Sequence, residues 1–155
     1  MIINIIVVGK FKEKYWEEAE KEYLKRLSAW FKINILELKE ESFSEKDIKN
    51  KIKQKEAQNI LAKIPKNSFV IVLDENGTEF TSEDFSEKLK TWLETENNLT
   101  FILGGPLGLH ESILKKANFK VALSQMTFTH QMARVFLLEQ IYRGQMINQN
   151  RKYHY

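Results

Sequence analysis

The 155-residue sequence predicts an α/β fold: a mostly parallel sheet of about five strands with helices on both faces. Three observations carry this. Short runs rich in Ile, Val and Leu alternate with helix-length stretches. Phe69-Val-Ile-Val-Leu73 is almost wholly apolar, as a central strand buried on both sides requires. No Pro/Gly/Ser-rich linker and no internal repeat divides the chain, so residues 1–155 read as one domain, long enough to bury ~70% of its unfolded surface.

In chain order, Ile2–Val8 is the first strand, rich in β-branched residues. Lys14–Ala29 has helical length and composition, and Ile33–Leu38 is a second strand. Asp47–Ile64 follows as a helix, with Ser44 as a cap before it and Pro65 closing it. Its lysines spread around the circumference and read as a solvated surface. After Phe69–Leu73 comes Asp74-Glu75-Asn76-Gly77, an Asn-Gly turn signal. Ser82 is positioned to cap a helix over Glu83–Glu94, with acids in its first turn. Thr100–Leu103 and Lys120–Leu123 are strands flanking the helix Glu111–Ala117. A long helix from about His130 to Met146 ends the pattern, with Thr129 as its cap.

Composition narrows the function. Cysteine is absent, which excludes thiolate nucleophiles, CxxC zinc sites, iron–sulfur clusters and disulfides. Three histidines without an HxxxH pattern make a metal site improbable, and no metal is expected. Met1 leads straight into a short apolar strand with no basic segment before it. The expectation is a soluble cytoplasmic protein with no signal peptide or membrane span. The net charge of +3 is unevenly spread: Phe101 to the end carries seven bases and two acids, the first hundred residues a net −2. A basic C-terminal third suits a polyanion contact, or is chance on a basic protein.

In open α/β sheets ligands bind beyond the carboxyl ends of strands, which points to three loops. One follows Leu73. The second, Gly104-Gly105-Pro106-Leu107-Gly108, gathers three of the six glycines and one of the two prolines. It is neither GxGxxG nor GxxxxGK[ST], so it reads either as a tight strand-to-helix turn or as a ligand loop of another kind. The third, Ser124-Gln125-Met126-Thr127-Phe128, leads to Thr129 and His130. His130 stands in a first helical turn, which favours the neutral ring; it either packs or accepts a proton. Arg134 lies four residues on and shares its face. Val135, Leu138, Ile141 and Tyr142 follow at helical spacing as core or subunit interface. The tail, Asn148-Gln-Asn-Arg-Lys-Tyr-His-Tyr155, either holds phosphates and stacks on bases or is a frayed end whose loss costs little stability.

Together these segments resemble the SPOUT, or α/β-knot, RNA methyltransferases, and more narrowly the RlmH family, which methylates N3 of a pseudouridine in large-subunit ribosomal RNA. The resemblance runs end to end: Val8-Gly9-Lys10, Glu22-Tyr23-x-x-Arg26, Lys55-Glu56, the glycine loop Ile102 to Leu109, Leu123-Ser124-x-Met126-Thr127-Phe128-x-His130, Arg134-Val135, Glu139-Gln140-x-Tyr142-Arg143 and Tyr153-His154. One departure is Tyr155, where the family usually has a basic residue; Arg151 or Lys152 is placed to substitute.

The resemblance implies S-adenosyl-L-methionine as methyl donor, a C-terminal trefoil knot, a homodimer with sites near its interface, and ribosomal RNA or the ribosome as partner. Carried over by residue, Leu73, Gly104, Leu123, Ser124, Gln125, Met126, Thr127 and Phe128 line the cofactor pocket, and Gly105 of the same loop joins them. His130 or His154 is then the candidate base for the N3 proton. Arg134, Arg143 and Arg151 are candidate phosphate or carbonyl contacts, and Tyr153-His154 falls on the acceptor side of the site. Two alternatives remain: a small-molecule methyltransferase, and a non-catalytic RNA- or nucleotide-binding module on the same scaffold.

Overall fold

The computed structural model describes residues 1–42 and 49–153. Ser44 and Asp47, expected at the start of the second helix, and His154 and Tyr155 lie outside the described residues. The elements are β1 (Ile2–Val8), α1 (Lys14–Leu27), β2 (Lys32–Leu38), α2 (Lys49–Leu61), β3 (Phe69–Glu79), α3 (Ser82–Thr95), β4 (Asn98–Leu103), α4 (Glu111–Lys116), β5 (Phe119–Ala122) and α5 (His130–Asn148).

The five strands form one sheet in the order β2-β1-β4-β3-β5, and every pairing is parallel. Parallel strands need crossover connections, so helices cover both faces. On one face α5 packs between α1 and α3; on the other α2 packs against α4. Two separate cores result. The first holds Ile3, Ile5, Leu27, Ile71, Leu89, Phe101 and Leu137, the second Ile6, Val8, Ile60, Val72, Ile102 and Ile113. Alternate residues of β1, of β4 and of the first half of β3 feed opposite cores, which is why Ile5–Val8, Phe69–Leu73 and Phe101–Leu103 are wholly apolar.

Local chemistry explains the differences from expectation. α3 is capped by Thr81 rather than Ser82: Thr81 Oγ1 accepts the Asp84 N–H at 3.1 Å, because Thr81 has the extended backbone a cap requires. β3 does not end at Leu73. Leu73 and Thr78 both face Val121, so residues 74–77 bulge out and the strand then resumes along β5. Thr129 caps α5 as expected, accepting the Met132 N–H at 3.3 Å.

The tail is no frayed end as far as Tyr153. Asn150 takes a left-handed conformation (φ 51°), and the Arg151 N–H donates to the Met146 carbonyl at 2.9 Å, folding the chain back on α5. The Tyr153 ring then meets Tyr142 edge-on at 4.8 Å, Arg143 stacks on it at 4.8 Å, and Arg151 lies 5.7 Å over Trp30. Burial and a hydrogen bond with Tyr23 hold the Tyr153 phenol well above the usual tyrosine range. Deletion from Arg151 onward is therefore expected to cost about 2 kcal/mol, the sum of an aromatic pair and its stacked cations, rather than nothing. A denaturation midpoint unchanged by the deletion would contradict this packing.

Candidate functional site

The carboxyl ends of β3, β4 and β5 open into a cleft of about 830 Å³. Its walls are Leu73–Asn76 after the straight part of β3, the glycine loop Leu103–Leu109 after β4, and Thr127–Gln131 entering α5; Lys53 of α2 stands at its edge. The volume is ordinary for a site that encloses one small organic ligand. A shallower depression continues from it along Leu123, Ser124 and Met126 and shares Leu73, Thr127 and Phe128 with it. Eight of the nine residues expected at a cofactor, namely Leu73, Gly104, Gly105, Leu123, Ser124, Met126, Thr127 and Phe128, thus border one continuous surface. Gln125 is exposed and lines neither part.

The glycine loop is held from below. A side chain on Gly105 would stand 3.2 Å from Val8 Cγ1 and 3.7 Å from the Glu56 carboxylate, so its missing side chain makes room for the second core rather than for a ligand. Glu56 is buried there and accepts the Glu41 N–H at 3.2 Å; burial raises its pKa. Asp74 and Glu75 were not singled out from the sequence, where they read only as turn residues. They bring two carboxyl groups to the cleft wall because the β3 bulge turns them there.

His130 lines the cleft and also a water-sized cavity of about 10 Å³ behind it, between Gly9, Leu103 and Gly104. Its Nε2 is buried and, among the described residues, has no hydrogen-bond partner. A side chain on Gly9 would lie 3.1 Å from this nitrogen and 3.3 Å from Glu40 Oε2, so glycine leaves that side of the ring open. Burial, with smaller help from Lys12 and Arg134 and against Glu40, lowers the His130 pKa and keeps the ring neutral near pH 7. The linkage has a definite sign. As pH falls from the unfolded value of about 6.5 toward the lower folded one, the unfolded chain takes up a proton that the folded protein resists, and stability drops. His130→Gln is expected to abolish that part of the drop and leave stability above pH 7 level. Urea midpoints at a series of pH values check it, the other histidines cancelling in the comparison.

Arg134 departs from the sequence reading. It is 4% exposed, donates to Glu20 through Nε and, at 2.7 Å, through Nη2, and donates to Glu37 through Nη1 at 2.7 Å. Its guanidinium also lies 4.2 Å from the Phe11 ring centre. Every face is occupied, so this arginine ties α5 to α1 and β2 and offers nothing to a phosphate. Spacing from His130 could not reveal this, since both carboxylates come from elements about a hundred residues away. Arg143 is likewise paired with Glu139.

Tyr153 does not join His130 within one chain. Its ring meets Tyr142 and its hydroxyl donates to Glu139 Oε1 at 3.3 Å, so it packs against the middle of α5 and does not line the cleft.

The comparisons with known proteins agree with this architecture. The family model described as "Predicted SPOUT methyltransferase" matches residues 1–154. Similar curated proteins include the ribosomal RNA large subunit methyltransferase H of Clostridium tetani, 50% identical over 99% of both chains. Those of Clostridium beijerinckii and Clostridium acetobutylicum are 48% and 44% identical, again over 99% of both chains. With a parallel five-stranded sheet, a glycine loop at its carboxyl edge and full-length likeness at this level, the chain belongs to the SPOUT methyltransferase family, among the relatives of ribosomal RNA large subunit methyltransferase H.

Proposed function

We propose that this protein transfers a methyl group from S-adenosyl-L-methionine to N3 of a pseudouridine in large-subunit ribosomal RNA, acting on the ribosome. The observation that carries the reading is the cleft of about 830 Å³ between the glycine loop and the Thr127–Gln131 segment, in a chain that matches ribosomal RNA large subunit methyltransferase H along 99% of its length. Family membership implies the C-terminal trefoil knot, and residues 1–155 act as one domain.

The cleft suits the cofactor chemically. Leu73, Leu103, Leu109 and Phe128 offer apolar walls to an adenine, and the loop backbone offers its hydrogen bonds. Asp74 and Glu75 place carboxylates where ribose hydroxyls and a cationic sulfonium or ammonium would be held. When bound, S-adenosylmethionine supplies an electrophilic methyl group. The chain's own task is to orient the acceptor base, exclude water and help remove its N3 proton. His130 is the candidate for that proton, because a neutral imidazole at the cleft wall can accept it directly or through one water. Arg134 holds the start of α5 against α1 and so positions His130.

Tyr153 lies away from the cleft of its own chain, so the acceptor-side role of the Tyr153-His154 pair is assigned to a second subunit, in a homodimer with its sites near the interface. Exposed Met126 and half-buried Phe128, Met132 and Phe136 form an apolar surface beside the cleft for such contact. Light scattering at micromolar concentration tests this. No helix among the described residues is long and apolar enough to cross a membrane, and a cytoplasmic location is part of the proposal.

The experiment is methyl transfer from labelled S-adenosylmethionine to ribosomes from a strain lacking the gene, with nucleosides resolved by mass spectrometry. Label in a methylated pseudouridine of the large-subunit RNA is the expected result. Cofactor binding without transfer to any ribosomal particle would favour the non-catalytic module instead.

A further inference from the structure

None of the seven bases of the C-terminal third lines the cleft. Arg134 is buried in an ion-pair network, Arg143 is paired with Glu139, Lys115 with Glu111, and Arg151 lies over Trp30. The cleft has another source of positive charge. Between β1 and the first turn of α1 the chain reads Lys10-Phe11-Lys12-Glu13-Lys14-Tyr15-Trp16. Lys10, Lys12 and Lys14 are exposed, and among the described residues none of the three is in an ion pair. Tyr15 is 61% exposed, unusual for so large a ring, and is braced against Trp16 with the ring centres 5.2 Å apart.

Two contacts fix this segment to the element that bears His130. The Lys12 N–H donates to Gln131 Oε1 at 3.2 Å, and the Phe11 ring is clamped under the Arg134 guanidinium at 4.2 Å. Lys10 and Phe11 also line the small cavity behind His130. Lys10, Phe11 and Lys12 are thereby held beside the start of α5, whose His130 and Gln131 line the cleft, and Lys14 and Tyr15 follow on the first turn of α1. The acids nearby include Glu40 beside Gly9, Glu20 and Glu37 paired with Arg134, Glu13 within the segment, and Glu17 and Glu18 on the next turn of α1; Asp74 and Glu75 lie on the β3 wall of the cleft.

We propose that Lys10, Lys12, Lys14 and Tyr15 form a contact surface for a single-stranded stretch of the acceptor RNA, the lysines meeting consecutive phosphates and Tyr15 stacking on a base beside the methylated one. The chemistry is that of single-strand recognition generally, in which a cationic track follows the backbone and an exposed aromatic takes a base face. The inference rests on the ribosomal RNA reading above and names the part of the chain that holds the substrate.

The test uses the full chain and large ribosomal subunits with unmethylated RNA, following filter binding, methyl transfer and, by calorimetry, cofactor affinity. Replacing all three lysines by glutamine is expected to raise KM for subunits about tenfold or more at low salt, leave kcat within about twofold and leave cofactor affinity unchanged. The slope of log affinity against log salt should shrink by about two, since each phosphate contact to single strands contributes roughly 0.7. Tyr15→Ala should weaken binding about tenfold and Tyr15→Phe should restore it, because the ring and not the hydroxyl stacks. The charge-matched control replaces exposed Lys63, Lys66 and Lys116, which lie before β3 and β5 at the opposite edge of the sheet. Unchanged KM and salt slope, or an equal loss in the control, would overturn the inference while the methyltransferase reading stands. A wild-type chain that binds neither large subunits nor whole ribosomes removes both.

Discussion

Arg134→Met is expected to destabilise the protein by about 3 kcal/mol or more, because it leaves buried Glu20 and exposed Glu37 without their shared counter-ion. Glu20 contributes most, since it is buried where α1 meets α5. At this chain length the loss corresponds to a fall of roughly 10 °C or more in Tm. Arg134→Lys should fall between the two, since an ammonium keeps the charge but cannot grip Glu20 with two parallel donors or lie flat on Phe11. Adding Glu20→Gln to Arg134→Met should recover part of the loss by removing the stranded charge. Thermal unfolding of the four proteins decides it. A Tm within about 2 °C of wild type for Arg134→Met would show the network to be dispensable and would return this arginine to the list of groups free to meet substrate.

Gly77→Ala is expected to be nearly as damaging, and to strike the cleft proposed for the cofactor as well. A Cβ at this position would stand 2.6 Å from the Val121 carbonyl carbon and 2.8 Å from Ala122 N and Lys120 C. These are backbone atoms of β5, and they cannot rotate away as a side chain could. β5 or the returning end of β3 must shift, at a cost of about 3 kcal/mol or more. The shift passes directly into Leu123–Phe128, which follows β5 and lines the cleft, so cofactor affinity should fall at least about tenfold. Calorimetry at a temperature where the variant is still folded separates this from global instability. Wild-type affinity in a folded variant would mean that the β5 end does not shape the pocket.

Much of the fold was legible because its signals are local. Apolar runs of strand length, the caps at Thr129 and after Ser82, and the breaker at Pro65 depend on residues a few positions apart, so the alternation of strands and helices follows from the sequence almost element by element. One difference was local, the cap lying one residue earlier at Thr81; the other was not, since β3 resumed beyond its turn because β5, forty residues on, was there to pair with Thr78 and Glu79. The glycine loop and the Ser-x-Met-Thr-Phe segment were identifiable as site material from their place at strand ends and from family resemblance, and they do border one cleft.

What the sequence by itself determined about this protein is its class, its elements and the loops that can face a ligand, since each is written in neighbouring residues. The tertiary structure alone decided how the charged and aromatic groups are spent. Arg134 beside His130 reads as a site cation until Glu20 and Glu37 arrive from other elements to neutralise it, and Tyr153 reads as mobile until Tyr142 and Trp30 form the surface it and Arg151 pack on. Lys10, Lys12 and Lys14 after β1 become cations beside the start of α5 because Gln131 and Arg134 hold that segment there. Charge is a property of a residue, but its availability depends on what lies within about 4 Å in space, and the sheet sets that by joining positions a hundred residues apart.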